Sequence, residues 1–145
     1  MIDDVHLAAW VAFLRAHAAV LRRLERELEA ECDLPLTWYD VLVQLESAPN
    51  HRLRMQQLAK AVLLSKSRIS RLVEAMDQAG LLRREACPED KRGAEVVLTR
   101  QGVARLHTAA PTHLRGIQEH FGRHLTTPEA KTLAEALDRV GAALG

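Results

Sequence analysis

Apolar residues recur at helical spacing near the start of the chain. The repeat has a period of seven and comprises Leu7, Leu14, Leu21 and Leu28, with Val11 and Ala18 between them and Trp10 and Phe13 beside them. This pattern predicts one amphipathic helix over residues 4–31, about seven turns long. A stripe of that length is difficult to bury inside one small domain, so we expect a partner chain to cover it. An ordinary core-facing helix has the same leucine spacing and stays open as the alternative.

The C-terminal third is also helical in its pattern. Thr99 is suited to begin a helix that continues to Phe121, with a kink at Pro111, because proline removes one backbone donor. Residues 126–129, Thr-Thr-Pro-Glu, predict a last helix that starts with a cap and a proline in its first turn. The apolar stripe of this helix comprises Leu133, Leu137, Val140 and Leu144. We expect it to pack against the N-terminal stripe.

Three shorter helices are predicted in the middle of the chain, over residues 38–47, 55–62 and 65–80. The third begins at Ser65, a favourable N-cap, and ends at Gly80, a favourable stop. Its apolar positions follow the helical rule and are Ile69, Leu72, Val73 and Met76. Its other face carries Lys66, Ser67, Ser70 and Arg71, with Arg68 near the edge. The second and third helices together are typical of a helix-turn-helix, whose second helix offers its N-terminal half to the major groove of DNA.

Two short strands are predicted next, over residues 81–86 and 95–98, with charged and turn-forming residues between them. A hairpin in this position predicts a wing, the tip of which reaches a phosphate or a narrow minor groove. Gly93 allows the tight return of the chain. Arg92, with Lys91 beside it, is the candidate for the groove contact. We expect Asp90 to accept hydrogen bonds from Arg92 or from the hairpin backbone, and so to fix the direction of Arg92.

The distribution of charge supports a polyanionic partner, although the net charge of the 145-residue chain is only +1. Residues 52–105 contain 12 Lys/Arg and 6 Asp/Glu, whereas the two flanks together contain 8 basic and 13 acidic residues. A basic centre between acidic ends is expected when one region contacts nucleic acid and the others do different work. A solvated charged face without such a partner is the alternative.

Residues 36–106 resemble the winged helix-turn-helix of the MarR family of transcriptional regulators. The wing motif of that family, Asp-x-Arg followed by an apolar strand and Leu-Thr-x-x-Gly, is present here as Asp90-Lys91-Arg92, Val96-Val97-Leu98, Thr99 and Gly102. The preceding sequence LAKAVLLSKSRISRLVEAMDQAGLLRR is similar to the helix-turn-helix of the family. The resemblance implies an obligate homodimer with intertwined terminal helices, bound to pseudo-palindromic DNA with Arg92 in the minor groove. It also implies a small aromatic effector in a crevice between the dimerisation helices and the winged helix, with Trp38 and Tyr39 as candidate contacts, although both residues are equally suited to the core.

The predicted fold class is therefore mainly α with a small β-hairpin wing. Residues 1–35 and 100–145 are assigned to a helical dimerisation region, and residues 36–99 to a winged helix-turn-helix. The candidate DNA-binding residues are Ser65, Lys66, Ser67, Arg68, Ser70, Arg71, Lys91 and Arg92. The function predicted is that of a sequence-specific, ligand-responsive transcriptional regulator, a repressor, acting as a homodimer.

A metal-sensing regulator and a redox-sensing regulator are the alternatives to this prediction. His113, His120 and His124 are predicted on one side of a single helix, where imidazoles could bind a metal, but no cysteine or carboxylate accompanies them at ligand spacing. Cys32 has acidic neighbours that disfavour a reactive thiolate, and Cys87 is followed by acidic residues. We therefore predict no metal site, no cofactor and unreactive thiols.

Other function classes lack support in the sequence. Nucleophile-elbow, zinc-protease and phosphate-loop motifs do not occur, so no enzymatic activity is predicted. An acidic N-terminus and the lack of an apolar run of about 20 residues predict a cytoplasmic protein without membrane contact. A protein-interaction module that uses the winged helix to contact protein stays open, but it gives no reason for the basic centre.

Overall fold

The computed structural model describes residues 1–62, 64–86 and 93–145, and the side chain of Lys66 is outside the description. The helices are α1 (Asp4–Cys32), α2 (Leu36–Ser47), α3 (Met55–Ala61), α4 (Lys66–Gln78), α5 (Arg100–His120) and α6 (Thr127–Leu144). The strands are β1 (Arg52–Arg54), β2 (Leu82–Ala86) and β3 (Ala94–Leu98). Short 3-10 helices occupy Pro49–His51 and Gly122–His124. The predicted fold class, mainly helical with a small β-wing, is confirmed.

The sheet has three antiparallel strands rather than the two predicted, in the order β1-β3-β2. The additional strand, β1, places Arg52 opposite Val97 and Arg54 opposite Glu95. It is only three residues long and alternates arginine with leucine, so the sequence carries too little pattern to indicate a strand. β1 leads directly into α3, and the sheet therefore connects the first helix of the helix-turn-helix to the hairpin.

The chain divides into two compact units, one comprising Met1–Glu27 and His113–Gly145 and the other comprising Leu28–Thr112. Among the described residues, every buried apolar side chain except Leu24 belongs to the second unit. The predicted inward positions Val41, Leu42 and Leu45 of α2 are all fully buried there. This second unit thus has its own hydrophobic core, into which the three central helices and the sheet each contribute.

Local sequence determines how the helices of the second unit begin. The Ser65 Oγ accepts a hydrogen bond from the Arg68 amide, at 3.3 Å, as expected of an N-cap. The Thr99 hydroxyl accepts from the Gly102 amide at 3.0 Å and donates to the Gly80 carbonyl at 2.7 Å. Gly80 has a φ of +79°, which explains why glycine follows α4. The predicted cap at Thr99 therefore joins the start of α5 to the end of α4.

α5 begins in the second unit, continues through Pro111 and ends at His120 in the first unit. Also in the first unit, the predicted cap of α6 is formed by Thr126 and Glu129. Gly116 of α5 lies close to α1, because a Cβ added there would be 2.8 Å from side-chain atoms of both Leu24 and Glu27. α6 has no buried residue. The predicted N- and C-terminal stripes are therefore largely uncovered within one chain.

The sequence predicted no segment long and apolar enough to cross a membrane, and α1 does not agree with that prediction. By length and composition alone, this helix is long and apolar enough to do so. The prediction counted uninterrupted apolar runs. Polar residues such as His6 and Arg15 interrupt these runs, but the alanines and leucines around them keep the mean hydropathy of the helix high. The core helix of a soluble protein and a signal sequence satisfy the same criterion.

Candidate nucleic-acid interface

The N-terminal half of α4 presents the polar face that the sequence predicted. Ser67, Arg68 and Arg71 are exposed, and Ser70 is half-buried. On the opposite side, Ile69, Val73 and Met76 are at most 1% exposed, so the helix cannot rotate about its axis without exposing its core face. Leu72, the fourth predicted core position, is only half-buried. The rotational setting of α4 is thus fixed by the core of its own unit.

The start of α4 is electrostatically suited to an anion. Its first turn contains no acidic residue, and the backbone N–H groups of this turn provide the positive end of the helix dipole. The Ser65 and Ser67 hydroxyl oxygens lie 3.3 Å apart, and either can donate to the other or to a bound phosphate. The helix terminus therefore combines backbone donors, two hydroxyls and the nearby Arg68.

The wing strands extend from the same core, with Leu82 paired to Leu98 and Arg84 paired to Val96. Lys91, Arg92 and Asp90, the predicted tip residues, lie outside the described residues, as does Cys87. The proposed orientation of Arg92 by Asp90 therefore stays a prediction. The strands that would carry this tip are anchored by Leu82, Val96 and Leu98, all buried.

Sequence reasoning missed a charged cluster on one face of the sheet. The Arg52 guanidinium of β1 lies 3.0 Å from a carboxylate oxygen of Glu95 and 3.6 Å from one of Glu85. The Arg83 Nε donates to Glu85 at 3.3 Å. Arg52 and its partners are separated by more than 30 residues in the sequence, so only the strand register could have indicated the cluster.

The two aromatic candidates for effector contact differ in accessibility. Trp38 is half-buried, whereas Tyr39 is 6% exposed. Burial raises the pKa of Tyr39, and the nearby charges of Asp40 and Glu46 raise it further, so the phenol remains neutral at physiological pH. Of the two residues, Trp38 is the more available to a ligand.

The prediction that three histidines lie on one helix is wrong for His124. α5 ends at His120, and His124 belongs to the following 3-10 helix, because the chain leaves the α-helix just before Gly122. His120 Nε2 lies 2.5 Å from Glu27 Oε1, and both His120 and His124 line a shallow depression with Arg23. Burial lowers the pKa of His113. Within the described part of the chain, no three potential metal ligands cluster together.

The fold and the polar face of α4 define this protein as a winged helix-turn-helix protein. A sequence model described as MarR family matches residues 33–93. The crystal structure of AbsC, a MarR family transcriptional regulator from Streptomyces coelicolor, is similar over 99% of this chain and 97% of AbsC, with 33% identity and a TM-score of 0.90. That of Sco3205, a MarR family regulator from the same organism in complex with DNA, is similar over 100% of this chain and 91% of Sco3205, with 32% identity and a TM-score of 0.92.

A curated relative gives the same indication from sequence. The HTH-type transcriptional repressor YetL of Bacillus subtilis (strain 168) is 29% identical over 105 residues, which are 70% of this chain. The chain spans 63% of the length of YetL, less than two thirds. The chain belongs to the MarR family of transcriptional regulators.

Proposed function

We propose that this chain is a homodimeric, sequence-specific DNA-binding repressor that recognises a pseudo-palindromic operator. The observation that carries the proposal is the setting of α4, whose exposed Ser67, Arg68 and Arg71 lie opposite a largely buried apolar face. A capped helix with cationic side chains at its N-terminal end is suited to enter the major groove. The DNA-bound state of the similar regulator Sco3205 supports this assignment.

The dimerisation region is proposed from the exposed apolar side chains of the first unit. They include Leu7, Trp10, Phe13 and Leu14 on α1, Leu114 on α5, and Leu137, Val140 and Leu144 on α6. Soluble monomers rarely expose so many large apolar groups on neighbouring elements. We assign residues 1–35 and 100–145 to dimerisation and residues 36–99 to the winged helix-turn-helix.

The contacts proposed for DNA fall into two groups. Ser65, Lys66, Ser67, Arg68, Ser70 and Arg71 belong to the recognition helix and its cap, whereas Lys91 and Arg92 belong to the wing, with Asp90 orienting Arg92. Arginine at a wing tip is suited to the negative potential of a narrow minor groove. The name of YetL as a repressor supports repression as the mode of action. The basic charge of residues 52–105 favours DNA over protein as the partner of the winged helix.

The effector proposed is a small aromatic acid, with Trp38 as the more accessible of the two aromatic candidates and Tyr39 as a supporting core residue. No enzymatic activity or cofactor is part of the proposal. A DNA-binding regulator works in the cytoplasm, where the chromosome is, and that location is proposed here.

The proposal is tested by selecting duplexes from a random pool and measuring the affinity of an enriched duplex at several salt concentrations. We expect enrichment of an inverted repeat and a linear fall of log K with log salt, because phosphate contacts release counterions. Arg123→Ala is a suitable control, since it removes one positive charge outside the helix-turn-helix unit. A pool that yields no enriched sequence would contradict the proposal.

A further inference from the structure

The charged cluster on the sheet joins all three strands through one residue. Glu85 of β2 lies directly opposite Glu95 of β3, and Arg54 of β1 lies opposite Glu95 on its other side. Like charges directly opposite each other destabilise an antiparallel pair. The Arg52 guanidinium reaches both carboxylates, at 3.0 Å and 3.6 Å, and so offsets their repulsion.

Arg52 also lies directly opposite an apolar residue on the charged face. Val97 shares this face with Arg52 and Arg83, its opposite neighbours on the two adjacent strands, yet it is only 5% exposed. Arginine stems cover apolar surface while their charged ends remain in water. The Arg52 side chain thus has two separable parts, a stem suited to cover Val97 and a guanidinium that bridges the carboxylates.

Arg52 lies in β1, close to the start of the helix-turn-helix, so the bridge that its guanidinium forms to Glu85 and Glu95 connects the helix-turn-helix to the hairpin. β1 is followed without a loop by α3, the first helix of the helix-turn-helix. Two consecutive residues with positive φ, Asn50 at 58° and His51 at 54°, precede Arg52 and fix where β1 begins. A bridge from β1 to β2 and β3 therefore restrains the hairpin relative to the helix-turn-helix.

We propose that Arg52 is a positioning residue that sets the angle of the wing through Glu85 and Glu95, without contacting DNA itself. This inference rests on the proposed DNA-binding function. The side chains of the cluster are 25–40% exposed for Arg52, Glu85 and Glu95, and ion pairs of that exposure change global stability little. We therefore expect these ion pairs to order the hairpin, and to change DNA affinity through that order.

The test uses Arg52→Met, which retains an unbranched apolar stem over Val97 and removes the charge. We expect DNA affinity to fall about tenfold, at the upper end of what two partly exposed ion pairs contribute. The slope of log K against log salt should stay unchanged, whereas loss of a direct phosphate contact would reduce it by about 0.9. Arg52→Lys, which keeps the charge without the planar guanidinium, should give an intermediate affinity.

A double-mutant cycle with Glu95→Gln separates positioning from simple charge. If Arg52 acts through the carboxylates, Glu95→Gln recovers most of the loss in the Arg52→Met background and does not tighten binding in the wild type. If Arg52 acts only by its charge, Glu95→Gln tightens binding by the same factor in both backgrounds, and the inference is overturned. A reduced salt slope in Arg52→Met, or unchanged affinity, would overturn it as well.

Amide hydrogen exchange in the free protein tests the restraint without DNA. We expect faster exchange of the β2 and β3 amides in Arg52→Met and its reversal by Glu95→Gln, because the repulsion between Glu85 and Glu95 is then removed. Unchanged exchange would contradict the restraint. If the wild-type protein selects no DNA but the exchange cycle gives the expected result, the proposed function fails while the restraint of the hairpin stands.

Discussion

Gly102, in the winged-helix unit, leaves no room for a side chain. A Cβ added there would lie 2.1 Å from the Leu81 carbonyl oxygen and 2.5 Å from Leu98 Cδ1. The backbone oxygen cannot move aside as a flexible side chain can, since it also accepts a hydrogen bond from the Thr99 amide. The glycine of the wing motif is therefore required by close packing of α5 on the end of α4.

We expect Gly102→Ala to lower the free energy of unfolding by roughly 1–3 kcal/mol, the usual range for overpacking a well-packed site. Chemical denaturation followed by circular dichroism measures this change. Gly141→Ala is the matched control, because a Cβ there meets nothing within 4 Å in the chain and alanine favours a helix interior. Equal stability of Gly102→Ala and the wild type would contradict the packing argument.

His113 is expected to make stability depend on pH. Its pKa in the folded chain lies below 6.5, because burial disfavours the imidazolium, so below pH 6.5 the unfolded chain binds this proton more readily. Stability contributed by the neutral imidazole is thus present above pH 6.5 and declines as the pH falls below it. In denaturation at pH 7 and pH 5, His113→Gln should lose less stability on acidification than the wild type, whereas exposed His124→Gln should behave as the wild type does. An identical loss in His113→Gln would contradict the assignment.

Residue-scale prediction from the sequence succeeded where the partners are close in the chain. Ser65, Thr99 and Thr126 cap helices through amides three residues away, so residue type and position were sufficient. Arg52 was missed because its contact with Glu95 spans 43 positions and depends on strand register. His124 was misplaced because helical spacing does not reveal that α5 ends at His120.

At the scale of elements, α4 is the one whose role can be tested most sharply. Replacing Arg68 or Arg71 by alanine removes an exposed side chain without opening the core behind Ile69 and Val73. If the replaced arginine reads a base edge, its loss should weaken the binding free energy by about 1–3 kcal/mol and relax specificity at one base pair. A residue that contacts only phosphate should weaken all duplexes evenly and reduce the salt slope by about one.

The measurement is a titration of the selected duplex and its single-base variants with each alanine protein. Glu74→Ala, on an exposed position further along the same helix, is the control for changes in helix stability. Should both arginine variants bind every duplex as the wild type does, α4 is not the recognition helix.

The elements themselves were predicted well because their apolar periods are regular. α1, α4 and α6 begin within two residues of their predicted starts. β1 was not predicted, since three residues cannot establish an alternating pattern and its partner strand lies more than 40 positions away. The wing tip at Asp90 and Arg92 rests on the sequence alone.

At the scale of the whole molecule, the exposed apolar side chains of the first unit predict assembly. We expect light scattering at micromolar concentration to give twice the chain mass of 16.2 kDa. Leu14→Glu, which places a charge on the 44%-exposed leucine in the middle of the α1 stripe, should shift the protein towards monomer. Ala16→Glu adds the same charge on the far side of α1 and should remain dimeric. A wild-type monomer, or equal dissociation of both variants, would contradict the assignment of this stripe to the dimer interface.

Family membership and overall fold could be predicted from the order of motifs, because the helix-turn-helix, wing and terminal helices each have a local pattern. The operator and the effector could not be predicted, because they depend on which base edges and ligand groups a few side chains meet. The distribution of charge gave the partner class, but it does not specify a sequence.

The central claim, that two copies of this chain read one inverted repeat, is tested most directly by the stoichiometry of the complex with a selected duplex. The account predicts two chains per duplex, half-sites about one helical turn apart, and loss of high affinity when either half-site is scrambled. Binding of one chain per duplex, or equal affinity for the intact and the scrambled sites at matched salt, would contradict it.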